Sequence, residues 1–543
     1  VETDVRVGVY IFPGWYRDKG RTDYDYPNHD EDSEWRMIAR FARPRPLLGF
    51  YDDSLPEVND WHVKWALEAG ISWFAFDWYW NAGEKRLSRS LEHGFLNARY
   101  APMMDFCIHW CNHGLDWRKP LDFTAPALED MIEYCAETYF TRDNYLCIDG
   151  RPVFMIWDSK AVFNANGGEE AFGDQVLPRL NAVCRRHGLG DLFLVHVDNA
   201  PDRLAQVRVG DAITGYSHAH ITTTTPFMLP GSAPYAEMVE ALPAYWDRVR
   251  DQARLPLIVS TQAGWDSTPR SLGNQSPGSR WMRTDNTPDL LEQTLRDARE
   301  RVDPELPLLL IEAWNEWGEG SFIEPGKRYG FGQLEAVRRV FAPGAPPHRW
   351  HAPSPALVDS YSVLRGEELA AARAREKQPD PPPPHRVQVV RHDVDPAHLP
   401  RTLIQESDAV PMPEQVAISQ GLRFVGTHEA GARFEIVGGD PFIVIETRNG
   451  DRPLSDLEVA IRVRYDGPGT GFTELFYATD DNGFSASRSY RYNWKNDGTS
   501  HTYRFRFEDG EETQGRLTQV RLDPPDEPGS TVTVEWVRVL RAE

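Results

Sequence analysis

Short apolar runs alternate with longer stretches of helical period over the first 342 residues or so. The runs fall at residues 5–12, 72–78, 103–109, 152–157, 192–197, 212–216, 256–261 and 308–313, and are rich in Val, Ile, Leu, Phe or Tyr. Their length and composition read as strands. Between them, helical periodicity predicts helices over 56–69, 87–98, 125–139, 169–186, 235–254 and 287–302, followed by one over 332–341. Eight strands interleaved with helices predict an α/β fold, a (β/α)8 TIM barrel. The alternative is a doubly wound open sheet, but no strand runs into a G-x-G-x-x-G turn.

Downstream the pattern changes twice. A helix is expected at 367–377, followed by "QPDPPPPH", whose prolines make an extended, semi-rigid spacer. Beyond about residue 386, alternating segments such as "LEVAIRVRY", "HTYRFRFE" and "TVEWVRVL" are separated by turn pairs including Asn449-Gly450 and Asp466-Gly467. This predicts an all-β antiparallel sandwich of jelly-roll type. The expected division is therefore a catalytic barrel over 1–345, a helical and Pro-rich linker over 346–385, and the sandwich over 386–543.

Composition narrows the partners. A net charge of -23 argues against nucleic acid, which needs clustered Lys and Arg. Eighteen tryptophans suit stacking on the apolar faces of sugar rings, so an oligosaccharide or polysaccharide is the expected partner. No apolar run approaches the roughly 20 residues that span a bilayer. A secreted or periplasmic location is the favoured expectation and a cytoplasmic one the alternative. Five cysteines are too few and odd in number for a disulfide framework and are expected to be buried free thiols.

In a barrel, reactive groups gather where strands end on the C-terminal face. The first strand end offers Tyr10, Trp15 and Tyr16, the second Asp77 and Trp78, and the third His109, Trp110 and Asn112. Asp158 follows the fourth, Tyr216 and His218 the sixth, and Trp265, Asp266 and Arg270 the seventh. The eighth ends in "IEAWNEWGEGSFIEP", which holds Trp314, Asn315, Glu316, Glu319 and Glu324. An aromatic at one strand end is ordinarily rim packing. Polar and ring-bearing groups at every strand end instead have the composition of a carbohydrate cleft.

Two glutamates in such a cleft meet the needs of glycoside cleavage, in which one carboxyl gives a proton and the other acts as base or nucleophile. Glu316 and Glu319, three positions apart beside Gly318 and Gly320, are the expected pair. Glu312 precedes the strand end and is expected to bond inside the barrel, while Glu324 orients neighbours or binds a hydroxyl. No H-E-x-x-H ligand motif is present, so no metal or other cofactor is expected. No G-x-S-x-G elbow follows a strand. In the sandwich, Tyr477, Tyr490, Tyr492 and Trp494 are candidates for sugar stacking or for core.

"AWNEWGEGSFIEP", "GWDSTPR" and "FDWYW" together resemble the WbsX-type family, often labelled glycosyltransferase, which is similar to glycoside hydrolase family 99. The resemblance covers about residues 5 to 342 and implies a (β/α)8 fold. Family 99 acts on α-mannosides with retention. Carried over, the match implies Glu319 as general acid/base and Glu316 as the base that takes the proton of the sugar's 2-hydroxyl, giving a 1,2-anhydro sugar that water opens. Asp158 and Tyr216 are implied as cleft residues. The sequence departs from family 99 at Gly318, where that family has His, and at "HWCNHG", where it has a carboxylate, so mannose specificity does not carry over.

A retaining glycoside hydrolase is the expected activity. The alternatives are a glycosyltransferase of surface-polysaccharide synthesis and a non-catalytic glycan-binding protein. A nucleotide-sugar transferase needs a diphosphate site, and no strand end carries the acidic pair that would hold its metal.

Overall fold

In the computed structural model the described residues are 3–16, 35–41, 45–113, 120–199, 201–221, 231–273 and 281–375, with 389–392, 403–408, 416–428, 431–437, 441–447, 452–467, 472–480, 483–484, 488–507, 515–525 and 528–541 beyond. The proline run at 378–385 and the Asn449-Gly450 turn lie outside them.

Eight parallel strands close into a barrel: β1 (Arg6–Ile11), β2 (Ile71–Asn81), β3 (Asp105–Trp110), β4 (Arg151–Ile156), β5 (Phe193–Asp198), β6 (Ala212–Gly215), β7 (Leu257–Gln262) and β8 (Leu308–Glu312). Each pairs with its sequence neighbour, and β8 returns to β1 with Arg6 opposite Leu308 and Val9 opposite Ile311. These strands are buried on both faces, as expected of parallel strands covered by helices.

Helix α1 (Pro56–Ala69) starts on a proline whose missing N–H costs nothing at that position, and stops at Gly70 in the left-handed region. The expected helix at 87–98 is instead a π turn (Ser90–Gly94) and a short 3₁₀ turn (Phe95–Asn97). Gly94 packs so close to the Asp53 carbonyl that a Cβ would lie 2.2 Å from it. The expected helix at 169–186 is real but widened at Phe172–Val176, just before Pro178 removes a helical N–H. Two helices that follow the barrel, Pro355–Tyr361 and Gly366–Arg375, occupy much of the expected linker.

By compactness the chain forms two units, Val1–Ala219 with Met238–Gly273 and Asp285–Asp380, and His220–Glu237 with Asn274–Thr284 and Pro381–Glu543. The second unit thus includes two segments from connections after β6 and β7. Among the described residues, its C-terminal part has a seven-stranded and a five-stranded antiparallel sheet. Both feed one apolar core, with Val459, Ile461 and Val534 from the larger sheet and Ile443, Leu475 and Val520 from the smaller. Tyr477, Tyr490 and Trp494 belong to this core and are at most 4% exposed, so of the two alternatives these three take the core one. The Tyr492 side chain lies outside the described residues.

Candidate active site

Beyond β8 the chain makes a miniature hairpin, with β9 (Asn315–Glu316) antiparallel to β10 (Ser321–Phe322) and Glu316 opposite Ser321. The four residues 317–320 form its turn. Trp317 stacks on Phe322 at 3.7 Å, and the Glu319 amide donates to the Glu316 carbonyl at 3.2 Å. Gly320 closes the turn with φ +69°, where a Cβ would lie 2.6 Å from the Asp266 backbone nitrogen. Only glycine meets both requirements.

The hairpin and strand end set three glutamates in different surroundings. Glu312 is fully buried, and its Oε2 accepts from the Ser321 hydroxyl at 2.6 Å. Burial pushes its carboxyl well above the usual range, and the charges of Glu319, Glu316 and Asp77 push the same way, while the Ser321 bond opposes them. Glu312 is bonded inside the barrel in surroundings that favour its protonated form. Glu316 is 3% exposed, with Oε1 3.2 Å from the Tyr216 hydroxyl. Glu319 is more open and accepts a hydrogen bond from Arg270, whose guanidinium also lies 3.6 Å from Glu316 Oε2.

Opposite the glutamates, Tyr216 donates toward Asp77 Oδ2 at 2.9 Å, and His109 Nδ1 lies 2.7 Å from Asp77 Oδ1. The rings of Tyr10, His109 and Trp157 surround Tyr216 at centroid distances of 4.7, 5.7 and 5.3 Å. Tyr10 is fixed by its own bond to the Gly215 carbonyl at 3.1 Å. Side chains in or just beyond β1, β2, β3, β6 and β8 thus meet at one place inside the barrel. Burial and the charge of Asp77 push the Tyr216 phenol well up, so it keeps its proton.

Asp77, His109 and Cys111 bring three potential metal ligands within 4.8 Å of one another. Both Asp77 oxygens are engaged by His109 and Tyr216, which joins the set as a hydrogen-bonded cluster, and burial pushes the Cys111 thiol well up.

Several residues expected to bind substrate are occupied elsewhere. Trp78 faces outward, stacked with Trp80 at 5.4 Å and Tyr134 at 6.3 Å, and Trp110 packs between Phe123 and Phe154. Trp15 is buried against Trp35 at 4.2 Å, and Trp314 against His62 and Phe74. Asn315 exchanges two hydrogen bonds with the Phe12 backbone, Asn112 does the same with Asp158, and Asp158 itself caps the helix Ser159–Ala165 from an exposed position. His218 binds the Ser260 hydroxyl at 2.8 Å. Glu324 accepts from Tyr51 and Trp317 and contacts His62 at 3.2 Å, which makes it a buried brace for the hairpin. These contacts satisfy the polar atoms of Asn112, Asn315 and Glu324 within the protein, whereas the rings of Trp15, Trp78 and Trp314 are held by packing.

Tyr16 is 5% exposed beneath Arg89, while Trp265 and Asp266 are half-buried, with the Asp266 amide donating to the Glu319 carbonyl at 2.5 Å. Ser321, which holds Glu312, and Phe12, whose ring lies 5.8 Å under the Arg270 guanidinium, were not singled out by sequence. Neither residue type carries a chemical signature that spacing could expose.

A curated relative, the uncharacterized protein WxcX of Xanthomonas campestris pv. campestris, is 25% identical over 335 residues, covering 57% of this chain and 46% of the relative. The chain thus spans about half the length of the curated relatives it matches. Similar solved structures include a glycoside hydrolase-like protein with a TM-score of 0.44 at 17% identity, covering 63% of this chain and 94% of the other. Another is the GH99 endo-alpha-mannosidase of Bacteroides thetaiotaomicron, with a TM-score of 0.43 at 16% identity over 69% of this chain and 99% of the other. The family model described as Glycosyltransferase WbsX matches residues 41–337, more than half of the sequence, and the chain belongs to that family of glycan-active proteins.

Proposed function

We propose that the chain hydrolyses glycosidic bonds of an oligosaccharide or polysaccharide with retention. One observation carries this reading: a single hairpin at the end of β8 holds Glu316 against a phenol and Glu319 against a guanidinium, two carboxyls in unlike environments at one site. The roles follow the resemblance to family 99. Glu316 takes the proton of the sugar's 2-hydroxyl as that oxygen attacks the anomeric carbon, and Glu319 protonates the departing glycosidic oxygen. The 1,2-anhydro sugar is then opened by water. Glu319 removes a proton from the water, the bond from the anomeric carbon to the 2-oxygen breaks, and Glu316 returns its proton to that oxygen. Two inversions give net retention.

The test is a screen of glycans with the wild-type protein and Glu319→Gln, following product anomers by NMR. Wild-type cleavage with retention that is lost in Glu319→Gln supports the reading, whereas equal turnover by both sinks it. The family description favours a second reading, glycosyl transfer. That reading predicts release of nucleotide from a sugar donor, or transfer to an acceptor, in place of hydrolysis.

A further inference from the structure

A phenol carries one proton. Tyr216 presents its hydroxyl to two carboxyl oxygens at hydrogen-bonding distance, Asp77 Oδ2 at 2.9 Å and Glu316 Oε1 at 3.2 Å. Shared between two carboxylates as a three-centre bond, that proton would serve each only weakly. A proton on either carboxyl lets it donate to the phenolic oxygen while the phenol donates to the other. Asp77 and Glu316 are each 3% exposed, so a contact between unprotonated oxygens would be poorly screened.

We propose that Asp77 and Glu316 hold one proton between them, exchanged through the Tyr216 hydroxyl, and that the exchange readies Glu316 as an anion. In one state Glu316 Oε1–H donates to Tyr216, which donates to the Asp77 carboxylate. In the other, Asp77 Oδ2–H donates to Tyr216, which donates to the Glu316 carboxylate. Passing between them breaks the O–H bonds of Glu316 and Tyr216 and forms those of Tyr216 and Asp77. One negative charge moves from Asp77 to Glu316, and no outside proton is needed. Asp77 is a positioning residue here, since it acts on a substrate only through Glu316.

The groups facing this relay come from every side. Glu312 and Glu319 lie toward Tyr216 from β8 and the hairpin, and Tyr10 from β1. His109 contacts Asp77 Oδ1, and Cys111 and His113 lie beyond it after β3. Arg270 approaches Glu316 from the opposite side at 3.6 Å. The surrounding carboxyls disfavour a second negative charge on the pair, and His109 and Arg270 each stabilise one of its two anionic forms.

The role given to Glu316 rests on the hydrolase reading, but the shared proton does not. Infrared spectra of the substrate-free protein at neutral pH test it directly, with Glu312→Gln identifying the band of the separate buried acid. A shared proton requires that Asp77→Asn and Glu316→Gln, each alone, abolish the same protonated-carboxyl band. A band that survives either replacement overturns the proposal. If Asp77→Asn does not fold, Tyr216→Phe carries the test, because losing the bridge must shift that band, and an unmoved band refutes the exchange. In turnover, Tyr216→Phe should move the acid limb of kcat/KM up by about one pH unit, since the Glu316 carboxylate loses the hydrogen bond that stabilises it. If no glycan is cleaved while the infrared band behaves as a shared proton, the hydrolase reading fails and the relay stands.

Discussion

Arg270 donates a hydrogen bond to Glu319 and holds its other terminal nitrogen 3.6 Å from Glu316 Oε2. A guanidinium so placed favours the carboxylate form of Glu319 in the free protein. On the proposed role of Glu319 as general acid, which must hold its proton, this pair sets the upper pH of the proposed cleavage. Replacing Arg270 by Met should move the alkaline limb of kcat/KM up by about one pH unit. The check is a pH-rate profile on any cleaved glycan, and an unmoved limb would show that Arg270 does not govern the acid.

Glu312 gives a prediction about stability. Its folded-state carboxyl is pushed well up by burial, whereas in the unfolded chain it ionises near about 4.3. Above that pH the unfolded state binds fewer protons than the folded one, so Glu312 costs stability increasingly as pH rises toward its folded value. Glu312→Gln should therefore gain on the wild type from pH 4 to pH 8, by about 1–3 kcal/mol at the upper end. Urea unfolding at several pH values measures it, and a pH-independent difference would falsify the assignment of a neutral Glu312.

His196 behaves in the opposite sense. It is buried, accepts from the Ser159 hydroxyl, contacts the Val209 carbonyl at 2.6 Å, and is pushed down to about 4 by burial. Its neutral form stabilises the fold fully above the unfolded value of about 6.5. That contribution is lost as pH falls from there toward 4, with a swing of up to about 3 kcal/mol. His196→Gln should flatten the acid side of the stability curve, which thermal melts between pH 4 and 7 will read.

Gly320→Ala tests the hairpin. The substitution forces a side chain onto φ +69° and against Asp266, so the turn carrying Glu319 must shift. A displacement of about 1 Å at a reacting group costs on the order of 100-fold in rate. Activity should fall by about that factor while the unfolding midpoint drops only modestly, since a single strained turn costs about 1–2 kcal/mol. Unaltered kcat would show that Glu319 is not held by this turn.

The barrel was legible because its strands are short, apolar and evenly interrupted by helical stretches. The candidate site was legible only in part, and Asp77 with Trp78 shows why. Both end the strand expected from sequence and lie within the longer β2, and in a parallel barrel both faces of a strand are buried, so polarity does not separate inside from outside. Alternation does separate them. Asp77 meets Tyr216 and His109 within the barrel, whereas Trp78 and Trp80, two apart, both turn to the helix side where Tyr134 lies. His109 and Trp110 divide the same way on β3. The expected helix at 87–98 failed for another reason, a close backbone approach at Gly94 that no local pattern announces. The Tyr216 bridge was also hidden, since it joins residues 139 and 100 positions apart.

Glu316 and Glu319 belong to one short excursion of the chain, closed by two residue pairs and braced from behind through Trp317 and Glu324. Their separation is consequently a property of that hairpin and not of how the eight strands happen to be arranged. The loop after β7 is tied to the same hairpin through Arg270 and Asp266, so it belongs to one cassette with the two carboxyls. A library built on the loop after β3 would vary the surroundings while leaving that cassette intact.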